Sequence, residues 1–163
     1  MDFASLNTSA ASEKPRTIIV KLNGEPTDVE IDIIGSHSQK ARRAQAEHAA
    51  KTPKIEARIK QLSDRLANLD DSHKDYPQVL EALTEARDQK AQAMCRLLAQ
   101  MTCGWRNLDA NGVPVEFSED VAEQFYAQSE PMFLSVLPEV ADTGAFLGNV
   151  SSGGSNSGST KPA

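Results

Sequence analysis

The sequence predicts an α+β fold that is mainly α: an N-terminal β-hairpin, a central antiparallel helical hairpin, a small helical C-terminal subdomain and disordered tails. Three observations carry this. Residues 16–34 alternate along the chain on either side of an Asn-Gly pair. Residues 39–103 repeat apolar side chains at three- and four-residue spacing. Residues 104–149 hold turn signals followed by short stretches headed by Ser or Pro.

The first 14 residues are rich in Ser, Ala, Asn and Thr without periodicity and read as a disordered tail. The hairpin occupies residues 15–35. Ile18, Val20 and Leu22 alternate with Thr17, Ile19 and Lys21, and Val29, Ile31 and Ile33 resume the pattern after Asn23-Gly24. Asn-Gly between two period-2 runs is the strongest short-range hairpin signal. Pro26 lacks the N–H of a paired strand and is expected to widen the connection beyond two residues. A two-stranded hairpin alone is marginal in water, so its apolar face must find a helix or another molecule.

The helical region spans residues 36–103. Ser38 is a plausible N-cap for a helix over residues 39–51. Thr52-Pro53 fits a fresh start with Pro at the first helical position. Ile55, Ile59, Leu62, Leu66 and Leu69 then recur at 4-3-4-3 spacing, a narrow heptad-like stripe about two heptads long. Asp70-Asp71-Ser72 breaks it, and Pro77 opens a helix expected to run to Cys103, with Gly104 placed to end it. Two helices with a short connection should pack antiparallel. The stripe is most simply their seam, with self-association or partner binding as the other use.

The C-terminal subdomain, residues 104–149, holds most of the aromatics. A turn at Asp109-Ala110-Asn111-Gly112 precedes Val113-Pro114-Val115, Ser118 can cap a helix whose first turn carries Glu119 and Asp120, and Pro131 heads another that Pro138 interrupts or restarts. Residues 150–163 are Ser/Gly-rich and read as a flexible tail.

Composition narrows the function. The 163 residues are 39% hydrophobic and only 5% aromatic, enough for a modest core. No run approaches the roughly 18 apolar residues of a membrane helix, and the N-terminus lacks the pattern of a secretory signal. Cys95 and Cys103, about 12 Å apart if helical, are too far apart to bridge. The net charge of −6 hides a division. Residues 37–60 hold seven bases against two acids, and residues 104–149 one base against eight acids. Such ends invite contact with each other or between copies.

No nucleophile elbow, phosphate loop or metalloprotease motif occurs, and no Cys/His cluster has zinc-ligand spacing. His73 beside Asp70-Asp71 reads as a solvated turn. No catalytic, cofactor or metal site is expected. The basic stretch containing Arg42 and Arg43 carries no aromatic side chain to stack on a base, so it is better suited to an acidic protein partner than to nucleic acid. Trp105 either packs over the end of the preceding helix or serves as a binding anchor.

The run Gly104-Trp105-Arg106-Asn107-Leu108-Asp109-Ala110-Asn111-Gly112-Val113-Pro114-Val115-Glu116-Phe117-Ser118-Glu119-Asp120 resembles a segment of the tail assembly chaperones of long-tailed, siphovirus-like bacteriophages. There a Gly-Trp, an acidic turn and a Val-Pro-hydrophobic-x-Phe-Ser run lead into a helix. Glu130-Pro131 and the stretch Gly144-Ala145-Phe146-Leu147-Gly148-Asn149 are similar to the C-terminal half of those proteins, although Phe146 and Asn149 do not form the Asn-Phe pair common there. Upstream, Ile33-Ile34-Gly35-Ser36-His37-Ser38 looks like their N-terminal β element leading into an Arg-rich helix.

The resemblance implies a non-enzymatic chaperone that binds the tape-measure protein and helps recruit tail tube subunits. It implies action in the host cytoplasm and absence from the mature virion. Partner-binding candidates are Trp105, Phe117, Ile55, Ile59, Leu62, Leu66, Arg42 and Arg43. A structural virion protein of the neck or tail, and a basic-helix nucleic-acid-binding regulator, are the alternative readings.

Overall fold

The computed structural model describes residues 8–142. The expectations for residues 1–7 and for the tail at residues 150–163, and the resemblance at residues 144–149, lie outside the described residues. The fold is α+β and mainly α, as the patterning predicts. A three-stranded antiparallel sheet of order β1-β2-β3 packs against helices, and two helices extend from it as a long hairpin.

The N-terminal expectation is corrected at once: part of the supposed tail is a short helix, α1 (Thr8–Ser12). Its Ser12 carbonyl accepts the Gly35 N–H at 3.0 Å. The Glu13 carboxylate accepts the Gln39 N–H at 2.6 Å, and the Arg42 guanidinium donates to the Ser9 hydroxyl at 2.6 Å. These bonds join positions more than twenty residues apart, so no local periodicity announces them.

β1 (Arg16–Leu22) and β2 (Glu25–Ile33) form the hairpin. Leu22 pairs with Glu25 across a two-residue turn in which Asn23 and Gly24 both have positive φ, 54° and 88°. That is the primed turn matching strand twist. Pro26 therefore does not widen the turn as expected. The ladder absorbs it instead: register shifts between Ile19 and Lys21, and the Thr27 hydroxyl donates to the Val20 carbonyl at 2.8 Å.

Ser38 caps α2 (Gln39–Ala67), its side chain accepting the Ala41 N–H. This helix is continuous through Pro53, where the sequence suggested a break. Ala41, Ala44 and His48 lie in helical phase with Ile55, Ile59, Leu62 and Leu66, so a single face runs the whole length. An unbroken partner, α3 (Tyr76–Met101), lies along it. The Thr52 hydroxyl takes the His48 carbonyl at 2.8 Å, one turn ahead of the proline. Packing along one continuous seam outweighs the roughly 3 kcal/mol penalty of an interior proline.

α3 ends at Met101, two residues before the expected stop, because the chain turns into a third strand, β3 (Thr102–Arg106). Gly104 is not a helix cap; it lies opposite Asp32 in the ladder, and Trp105 lies opposite Ile31. A small hairpin of β4 (Asp109–Ala110) and β5 (Val113–Pro114) follows, again turned by an Asn-Gly pair at positive φ. Ser118 caps α4 (Glu119–Gln128), and α5 (Glu130–Ala141) carries Pro138 within it as one helix.

The core gathers Ile18, Val20, Ile31, Ile33 and Ile34 from the sheet side with Leu98 and Met101 of α3, Ala122 and Tyr126 of α4, and Met132, Val136 and Val140 of α5. The C-terminal helices thus share one core with the N-terminal hairpin rather than enclosing one of their own. Opposite charges do meet at the base of α2, where Lys40 pairs with Glu119 at 2.7 Å.

Candidate functional site

Between β1 and α5 lies an open groove of about 700 Å³, walled by Ile18, Ile19 and Lys21 on one side and by Leu134, Ser135 and Pro138 on the other. Its origin is visible in α5, which is apolar on nearly every side. Met132, Val136 and Val140, four residues apart, enter the core. Leu134 and Leu137 are left facing out, Leu134 at 56% exposure. A helix apolar all round belongs in an interior. Ile19 and Leu22 of β1 are also about half exposed, at 50% and 51%.

β1 is an edge strand, a form that invites pairing with another chain. Its Lys21 N–H is occupied, donating to the Ser135 hydroxyl at 3.0 Å while that hydroxyl donates to the Pro131 carbonyl. Arg16 and Glu139 close one end of the groove as an ion pair. The arrangement sets apolar side chains on two walls among polar ones, including Thr17, Asn23 and Glu130.

Trp105 does not fold back over a helix end. Its ring meets Phe117 edge-on at 5.0 Å and Phe125 at 5.8 Å, and its Nε1–H donates to the Val115 carbonyl at 2.7 Å. The run from Gly104 to Ser118 is thereby folded into a turn pinned beneath a half-buried indole. Ile55, Ile59, Leu62 and Leu66 lie half-buried on the α2 side that runs along α3, where Val79, Leu83 and Ala86 are buried. Arg42 is held by Ser9 and the His37 carbonyl, and Arg43 is exposed.

The eight candidates therefore fall into three separate places: Trp105 with Phe117, the stripe along α2, and the arginines at its base. Ile19, Leu22, Leu134 and Leu137 were not singled out. Two signals mark Ile19, Leu134 and Leu137: an isoleucine at an outward-facing hairpin position, and the two-sided apolarity of α5; Leu22 shares the phase of Ile18 and Val20 and carries neither.

On the outer face of the sheet, Arg106 joins Glu30 at 2.6 Å and Asp32 at 2.8 Å. Burial would raise the Asp32 pKa, but hydrogen bonds from Thr17 and Arg106 and the arginine charge outweigh it and hold it below the usual carboxylate value. Cys95 is buried and Cys103 exposed; both are free thiols pushed up in pKa, chiefly by desolvation. The acidic turn satisfies itself: Asp70 accepts from the Ser72 N–H and hydroxyl, and His73 Nδ1 accepts the Asp75 N–H. No group of three His, Cys, Asp or Glu side chains among the described residues could hold a metal ion. No helix among them is long and apolar enough to cross a membrane.

The chain matches no family model, no curated protein and no solved structure in comparisons with known proteins.

Proposed function

We propose that this chain is a tail assembly chaperone of a long-tailed phage, a non-catalytic protein that holds the tape-measure protein and helps recruit tube subunits. The observation that carries the proposal is the run from Gly104 to Asp120, with its Gly-Trp, acidic turn and Val-Pro-Val-Glu-Phe-Ser order. The β1–α5 groove supports it, because a client with exposed apolar segments needs exposed apolar side chains to meet, and Ile19 and Leu134 stand about half exposed on its two walls. Ile19 and Leu134 are the anchors of that surface.

Co-expression with the tape-measure product encoded beside it tests the proposal. The client should become soluble and co-purify with the chain, and an Ile19→Glu/Leu134→Glu variant that keeps its helical circular dichroism should lose it. A client whose solubility is unchanged and that does not co-purify overturns the proposal. Recovery of the chain in stoichiometric amounts from purified particles would also overturn it, in favour of a structural virion protein.

A further inference from the structure

The outward side of α5 is spaced like a second packing seam. Met132, Val136 and Val140 enter the core, while on the other side Glu130, Leu134, Leu137 and Ala141 follow one another at 4-3-4 spacing. That is the spacing at which one helix packs along another. All four positions are exposed, so no described element lies along this row. Ile19 flanks it across the groove, also exposed.

Charge bounds this apolar row at both ends, and each end holds both signs. Arg16 and Glu139 pair where α5 finishes. Lys21 and Glu130 line the groove toward the start of α5, and among the described residues neither enters an ion pair. The Lys21 N–H bonds the Ser135 hydroxyl, which fixes its height along α5.

A patch that binds a second copy about a two-fold axis must be its own complement. An axis perpendicular to α5, passing between Leu134 and Leu137, lays two α5 helices antiparallel. Leu134 of each copy then stands level with Leu137 of the other, and Glu130 with Ala141. This axis turns each flank toward the same flank, so β1 lies beside β1 and the two Ile19 side chains fall near the centre. At 1.5 Å per residue, Lys21 comes within about 4.5 Å in height of Glu139 of the second copy, and Arg16 within about 3 Å of its Glu130. Opposite signs thus face each other at both ends, with apolar side chains between them. A parallel packing would set Glu130 against Glu130.

We infer that the chain forms a homodimer through α5, an antiparallel helix pair that covers the mouth of each β1–α5 groove. The inference rests on the chaperone reading for one point, that this groove receives a client, which must then displace the second copy. The contact is small, so the dimer dissociates in the micromolar range. Exposed ion pairs add little affinity; here the charges set the orientation.

Sedimentation equilibrium of the full chain, with no client present, tests it. The wild type should show a monomer–dimer equilibrium that Leu134→Glu weakens by roughly tenfold or more, with unchanged helical circular dichroism. Cysteine variants fix the orientation, made with Cys103→Ser to remove the exposed native thiol. Glu130→Cys and Ala141→Cys chains, mixed under mild oxidation, should join as a disulfide-linked heterodimer. Neither should link to itself, because like positions stand about 16 Å apart along the helix pair and a disulfide needs Cα atoms within about 7 Å.

A wild type that stays monomeric at millimolar concentration overturns the inference. It leaves the chaperone reading standing, because that reading is decided by co-purification of the client, so the two fail separately. A dimer indifferent to Leu134→Glu overturns the inference by moving the contact to another surface. Glu130→Cys chains that link to themselves overturn it by making the helices parallel. If Leu134→Glu impairs folding, Leu134→Ala takes its place and must weaken the dimer.

Discussion

The indole of Trp105 stands where β3, the β4–β5 turn and α4 converge, and it holds them by two different means. Its ring edges pack Phe117 and Phe125, while its N–H ties down the Val115 carbonyl. Trp105→Ala should cost about 3 kcal/mol, the low end for a large aromatic because the ring is only half-buried. A urea denaturation midpoint left unmoved would show that these contacts stabilise nothing. Tyr126 makes a pH-dependent contribution. Its hydroxyl meets Thr102 Oγ1 at 2.7 Å, and that hydroxyl donates on to the Leu98 carbonyl. Burial is the main cause raising its pKa, from 10.0 to about 12, against a lowering by the Thr102 hydrogen bond. The folded state thus keeps the proton more tightly than the unfolded chain. The resulting stability is fully present below pH 10 and is lost as pH rises through about 12. Tyr126→Phe should flatten that alkaline decline in chemical denaturation series, and a decline of unchanged slope would refute the assignment.

At the scale of elements, the instructive position is Gly104. Glycine after a long apolar helix reads as a left-handed cap, yet here it lies in a strand, without positive φ and with open space where a side chain would go. Gly104→Ala should therefore be neutral or stabilise by about 0.4–1 kcal/mol, by reducing the freedom of the unfolded chain. A loss above about 1 kcal/mol in thermal unfolding would restore the cap reading. The same position shows what was legible in the sequence. Locally encoded features were: the Asn23-Gly24 turn, the Ser38 and Ser118 caps, and the helical hairpin with its seam. Features set by distant partners were not. β3 exists because β2 offers an unpaired edge, α1 because Gly35 and Gln39 reach back to it, and α2 survives Pro53 because α3 runs unbroken beside it. The groove was hidden for a related reason. Ile19 and Leu134 are more than a hundred residues apart, and only the packing of α5 on β1 makes them neighbours.

The whole molecule divides into a core and an arm of unequal content. From α2 the core cluster takes only Ala41, and from α3 only Cys95, Leu98, Ala99 and Met101. Beyond those, the two helices bury Ala44, Val79, Leu83 and Ala86 in a seam of their own. Cutting the arm after Lys51 and before Lys90, and joining the ends with a short Gly-containing loop, should leave a folded protein. Retention of the near-ultraviolet circular dichroism of Trp105 reports that result, and its loss would show that the core depends on the distal arm.

The third strand has a consequence for how the protein is made. Roughly seventy residues separate β2 from β3, so at about 5–20 residues per second a ribosome delivers β3 several seconds after its partner. The arm needs only its own two helices and can close while translation continues. The hairpin must wait for β3, and then for α5, before its inner face is sheltered. During that interval the nascent chain exposes Ile18, Val20, Ile31 and Ile33 together, a β-prone apolar pattern of the kind that favours aggregation. Its yield in a cell should therefore depend on the speed with which the codons from β3 through α5 are read.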